Sequence, residues 1–103
     1  MVSCMDEDAV RGELDRAAEL ARTREMIFED LAQMAETIAQ TEEISADVHD
    51  KAVRHLPGAV EHAARSRRFA AAERAAAAAY REHKVPPDEV RKVIRESGRS
   101  TPT

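Results

Sequence analysis

Bulky aromatic side chains are nearly absent from this sequence. It has no tryptophan, and its Phe and Tyr residues are Phe28, Phe69 and Tyr80 alone. Because large side chains supply much of the burial energy of a core, this scarcity excludes a thick hydrophobic core. Only three glycines and four prolines interrupt the 103 residues, and no alternating stretch has the length of a strand. Abundant Ala, Glu and Arg with so few breaks are typical of long helices, so we predict an all-α protein with one domain.

Cysteine and long apolar runs are also scarce. Cys4 is the sole cysteine, which excludes a disulfide within the chain, and we interpret it as an inert thiol near a loose terminus. No apolar segment of signal-peptide type follows the start, and no run approaches the length of a membrane span. We therefore expect a cytoplasmic protein that does not interact with a membrane.

Charge, by contrast, is plentiful and divided between the two halves of the chain. Residues 1–53 carry five Lys/Arg and fourteen Asp/Glu, whereas residues 54–103 carry eleven and six. The net charges are −9 and +5, which sum to the −4 of the whole chain. An acidic half and a basic half favour a chain that folds back on itself or pairs with a second copy.

Apolar spacing predicts where the helices lie. A heptad pattern counted from Ile27 runs toward Pro57, and proline with Gly58 makes the one firm break. We predict a first helix over residues 6–56, continuous or merely bent, a tight turn, and an antiparallel return helix over residues 59–84. The alternative is a compact three- to four-helix bundle with a break in the first helix near residues 40–45.

The remaining segments complete the predicted domain. Val85-Pro86-Pro87 ends the return helix, and acidic residues then begin a short helix that runs to Ser97. We predict a single helical domain over residues 6–98, with a disordered N-terminus at 1–5 and a disordered tail at 99–103.

The return helix can cover only about half of the first helix, since both rise by about 1.5 Å per residue. Its alanine-rich face suits a face of larger Leu, Ile and Met side chains opposite. Leu14, Leu20 and Ile27 would then remain exposed, and exposed apolar stripes mark partner surfaces. We predict a homodimer, or binding of an unidentified protein partner. The predicted interaction seam is Leu14, Leu20, Ile27, Leu31, Met34, Ile38 and Val48.

A cluster of arginines occupies the return helix, comprising Arg65, Arg67, Arg68 and Arg74. Such clusters are the electrostatic footprint of anion or nucleic-acid binding. However, the chain is acidic overall, with a pI of about 5.6, and has few aromatics for stacking on bases. We expect these arginines to meet the acidic face of the first helix. The alternative is a nucleic-acid-linked regulator, an antitoxin-like dimer that uses the basic half.

Metal and catalytic sites find little support. His49, His55 and His62 lie near the break among carboxylates, and imidazole with carboxylate suits zinc or iron. The Glu-x-x-His pairs of helical-bundle carboxylate sites are missing. No glycine-rich phosphate loop, nucleophile elbow or catalytic Cys/His arrangement occurs. We expect no metal, no cofactor, no catalytic residues and no enzymatic activity.

The segment from Met34 to Ala78 resembles the Ala/Arg/Glu-rich helical hairpins of many actinobacterial proteins. The resemblance is carried by Thr41-Glu42-Glu43, Asp47-Val48-His49-Asp50, the turn at Pro57 and Arg67-Arg68-Phe69-Ala70. Such hairpins stand alone or beside GAF or ANTAR-type signalling domains. The resemblance implies a helical accessory module and supplies no catalytic residues. We predict a non-enzymatic interaction and dimerisation module, in bacterial signalling or regulation.

Overall fold

The computed structural model describes residues 4–52, 55–99 and 101 of the chain. Three helices account for most of them: α1 at Cys4–Ala52, α2 at Ala59–Arg81 and α3 at Asp88–Glu96. The molecule measures 81 × 21 × 18 Å, and its radius of gyration of 21.2 Å far exceeds the roughly 13 Å of a compact domain of this size. The predicted all-α helical hairpin with a short third helix is confirmed.

The first helix is continuous through residues 40–45, so the alternative with a break there is wrong. No glycine or proline lies in that segment. The Thr41 hydroxyl donates a hydrogen bond to the carbonyl of Thr37 at 3.0 Å, so it finds a partner within a continuous helix. The helix begins at Cys4, so Cys4 and Met5 of the expected loose N-terminus are helical. Residues 1–3 of that expectation lie outside the described residues.

The turn between α1 and α2 uses the predicted Pro57-Gly58 pair. Gly58 has a φ of 80° and precedes the first residue of α2. A side chain at that left-handed conformation would be strained, which glycine avoids. The glycine carbonyl then accepts a hydrogen bond from His62 N–H at 3.0 Å, which starts the return helix.

Alanine, rather than larger side chains, forms the contact between α1 and α2. The buried residues of α1 are Ala32, Ala35, Ala39 and Ala46; the buried alanines of α2 are Ala59, Ala63, Ala70, Ala72, Ala76 and Ala77. We call these ten residues the alanine core. The expectation of a Leu/Ile/Met face opposite the alanines is wrong, because Met34 and Val48 are more than half exposed. Small residues on both helices allow close approach of the two backbones, and the bulkier heptad lies on the flank of the contact.

A second layer covers the far end of the hairpin. Ile94 of α3 is buried with Tyr80 and several alanines, and Phe28 and Leu31 of α1 pack against this cluster. The α2 helix ends at Arg81, three residues before the predicted end. Pro86, which is fully buried, helps to redirect the chain so that α3 returns along α2. The hairpin therefore has a cluster of large apolar residues at the end remote from Pro57.

Candidate interaction surface

Three arginines of α2 bind carboxylates of α1 along one side of the hairpin. Arg67 pairs with Asp50 and lies 3.5 Å from Asp47. Arg74 donates to Glu43 from both terminal guanidinium nitrogens, and Arg81 pairs with Glu36 at 3.0 Å. From one pair to the next, the residue number of the arginine rises while that of the carboxylate falls, as expected for two antiparallel helices. The predicted meeting of the basic return helix with the acidic first helix is thus observed at Arg67 and Arg74.

Two of these ion pairs lower the pKa of their carboxyl group. The hydrogen bond from Arg74 holds the pKa of Glu43 below its ordinary value, and that from Arg67 does the same for Asp50. Arg68 pairs instead with Glu96 of α3, whose pKa is likewise lowered by the hydrogen bond. Solvent exposes all of these groups, so each pair adds little stability. Together they favour the antiparallel orientation and register of the hairpin.

Arg65 differs from the other three predicted arginines. Its guanidinium lies over the Phe69 ring, 5.7 Å from the centroid, and it forms no ion pair with the described residues. It lines an open cleft of about 270 Å³ together with His49, His62 and Ser66. Sequence reasoning placed Arg65 with Arg67 and Arg68, but the helical turn points them to different neighbours.

Two of the three histidines considered as metal ligands meet in this cleft. The rings of His49 and His62 are 5.2 Å apart, and His49 Nδ1 lies 2.7 Å from the carbonyl of Ser45. A carbonyl only accepts, so this nitrogen carries the proton. His55 lies exposed in the turn. Within the described part of the chain, no group of three or more His, Cys, Asp or Glu side chains is arranged to hold a metal ion.

Glu73 forms a buried ion pair that sequence reasoning missed. Its side chain is only 2% exposed, and both of its oxygens accept from Arg99, at 2.9 Å from Nε and 3.2 Å from Nη2. Burial raises the pKa of Glu73, while the Arg99 charge and its hydrogen bond lower it. Arg99 was expected in a disordered tail. The available signal was spacing, because Glu73 lies four residues from both Phe69 and Ala77, which are buried.

The residues of the predicted interaction seam remain largely on the surface. Leu31 and Ile38 are half-buried beside the alanine core. The other five are more than half exposed: Leu14, Leu20, Ile27, Met34 and Val48. The expectation that Leu14, Leu20 and Ile27 stay exposed therefore agrees with the hairpin geometry.

Most of the N-terminal part of α1 has no cover from the rest of the described chain, although His83 lines an open cleft with Arg22, Glu25 and Met26. From residue 6 to residue 27, a segment that we call the arm, every residue is exposed except the half-buried Gly12. The end of α2 reaches only to Phe28, whose ring centroid is 6.5 Å from that of Tyr80 and 5.2 Å from that of His83. The arm is therefore a single helix projecting beyond the hairpin.

The arm nevertheless carries apolar residues in phase with part of the face that packs against α2 farther along; the rest of that face, including Ala32 and Ala39, is in phase with Arg11, Ala18 and Glu25. Leu14, Ala21, Phe28 and Ala35 are spaced seven residues apart, and the last two pack within the hairpin. Val10 and Ala17 lie beside the first two at heptad spacing. We call Val10, Leu14, Ala17 and Ala21 the arm stripe. It is an amphipathic helix face in phase with an occupied one.

No family model, curated protein or solved structure matches the chain. Among the described residues, no helix is both long enough and apolar enough to cross a membrane.

Proposed function

We propose that this chain is a non-enzymatic helical interaction module that forms a homodimer through the arm. The observation that carries the proposal is the arm stripe, which continues part of the packed face of α1 and is not covered by the described part of the chain. In globular proteins most helical stability comes from packing of such a face, and exposed apolar patches mark interaction sites. A setting in bacterial signalling or regulation is proposed on the resemblance of residues 34–78 alone.

Charge matching within the chain supports this proposal over nucleic-acid binding. Arg67, Arg68 and Arg74 each bind a carboxylate of the same chain. A phosphate would have to compete with those carboxylates, and Arg65 alone among the four predicted contacts remains without one in the described chain. These intramolecular pairs favour the interaction module over the antitoxin-like alternative.

The proposal is tested by charge substitutions on the two faces of the arm. Leu14→Asp places a carboxylate in the arm stripe, so we expect it to dissociate the dimer while the hairpin stays folded. Met26→Asp is the matched control, because Met26 is equally exposed, at 65%, but lies on the opposite face of the helix. Sedimentation velocity over a concentration series gives the readout.

Two results would count against the arm as the dimer surface. One is a wild-type chain that sediments as a monomer throughout the series. The other is a dimer that Leu14→Asp and Met26→Asp weaken equally. A monomeric Leu14→Asp variant whose hairpin keeps a cooperative unfolding transition, beside a dimeric Met26→Asp variant, would support it.

A further inference from the structure

The face of α1 that carries the arm stripe is already occupied beyond residue 28. There α2 packs along the same face, with Phe28 against Tyr80 and Ala35 fully buried. A second α1 helix lying parallel on the arm stripe would continue onto this occupied face and collide with α2. An antiparallel second copy leaves in the other direction, where the arm has no α2 beside it.

Charges beside the arm stripe are consistent with the antiparallel arrangement. Arg11, Ala18 and Glu25 lie at intervals of seven residues along one flank of the stripe. Arg11 and Glu25 are equally far from Ala18 and carry opposite charges. If two antiparallel arms cross so that their Ala18 residues face each other, Arg11 of each copy lies against the partner's Glu25. The dimer then contains two such pairs.

The other flank of the stripe is apolar near the same point. Leu20 and Ile27 lie there at heptad spacing, and both are more than half exposed. In the antiparallel arrangement the two Leu20 side chains approach each other near the crossing point. In a parallel arrangement a residue on one flank instead lies beside the partner residue five positions later on the other flank. Leu20 would then lie beside the partner's Glu25.

We infer that the arms of two copies pair antiparallel, centred near Ala18 and held in register by reciprocal pairs between Arg11 and the partner's Glu25. This inference rests on the proposed homodimer and adds its orientation, register and specificity-determining residues. The two hairpins then lie at opposite ends of a rod. About 34 residues separate Ala18 from the end of α1, so each half extends about 50 Å and the rod about 100 Å.

Charge reversal tests the register. Arg11→Glu and Glu25→Arg each replace two attractive pairs by two repulsive ones, and we expect each variant to dimerise at least about tenfold more weakly than wild type. An equimolar mixture of the two variants restores both opposite-charge pairs, so we expect heterodimers of near wild-type affinity. Arg16→Glu is the matched control, because it makes the same charge change outside the flank; mixed with Glu25→Arg, it restores only one of the two opposite-charge pairs, so that heterodimer should stay weaker than wild type.

A disulfide across the crossing point provides the second readout. In a Cys4→Ser background, Ala18→Cys should form a disulfide-linked dimer under mild oxidation, whereas Arg22→Cys on the outer face should not. A monomeric wild-type chain would remove the proposed function and this inference together. A wild-type dimer whose charge-reversal variants do not recover on mixing, or which Ala18→Cys fails to cross-link, would overturn the antiparallel register alone.

Discussion

Met34 and Ala35 are neighbours in α1 that distinguish an alanine contact from a contact made by the bulky heptad. Ala35 is 1% exposed in the alanine core, whereas Met34 is 53% exposed on the flank. An aspartate at residue 35 would bury a carboxylate without a partner, which costs about 3–5 kcal/mol. The whole domain has about 5–15 kcal/mol of stability, so Ala35→Asp should remove most of it. Met34→Asp changes an exposed side chain and should cost about 1 kcal/mol, mainly through helix propensity.

Urea unfolding followed by far-ultraviolet circular dichroism measures both variants at one protein concentration. We expect the unfolding midpoint of Ala35→Asp to fall severely, or the protein to be unfolded without urea, while the midpoint of Met34→Asp stays near that of wild type. Equal losses, or a larger loss for Met34→Asp, would mean that the bulky heptad packs against α2. The alanine core would then be the wrong description of the hairpin.

Two further predictions concern the ion pairs. Arg99→Ala leaves the buried Glu73 without its cation and should cost about 1–3 kcal/mol near neutral pH. The pKa of Glu73 is already raised by burial and should rise further; because the folded protein then binds the proton more readily than the unfolded chain, the loss should shrink as the pH falls toward about 5. Thermal unfolding at two pH values measures this, and a loss that grows on acidification would refute it. Arg67→Ala combined with Arg68→Ala removes exposed pairs only, so the helical circular dichroism should stay nearly intact and the melting temperature should fall slightly. Collapse of that double variant would make these arginines structural anchors.

The helices and the turn could be predicted from the sequence because they depend on local chemistry. Heptad spacing, the lack of breaks before Pro57 and the need for glycine at a positive φ place α1, the turn and α2 within a few residues. The acids at Asp88 and Glu89 similarly mark the start of α3. These signals act within a few residues of one another and need no knowledge of the partner helix.

The buried face of each helix was harder to predict from the sequence. Hydrophobicity points to Ile27 and Met34, whereas the structure buries Ala32 and Ala35, since close approach of two alanine faces depends on both helices at once. The buried pair of Glu73 and Arg99 was missed for a related reason: the two residues lie 26 positions apart in the chain. Spacing alone cannot show that a tail residue returns to satisfy a buried carboxylate.

The candidate interaction surface could be predicted from the sequence only in part. Exposed Leu14 and Leu20 follow from comparing the lengths of the first and return helices, as the sequence indicates. The continuity of the arm stripe with the face that packs on α2 required the structure, because the register of α2 on α1 decides which heptad positions are occupied. That register also identifies Arg11 and Glu25 as flanking residues of the arm stripe, where we propose that they pair between copies.

Light scattering coupled to size-exclusion chromatography tests the central claim, association of two copies through the arm, most directly. The account predicts a mass of twice the 11.4 kDa chain at micromolar concentration. It also predicts an elution volume of a rod longer than the 81 Å of one copy. A mass of one chain over the whole concentration range would contradict it, since the arm stripe would then remain exposed in solution without a second copy to cover it.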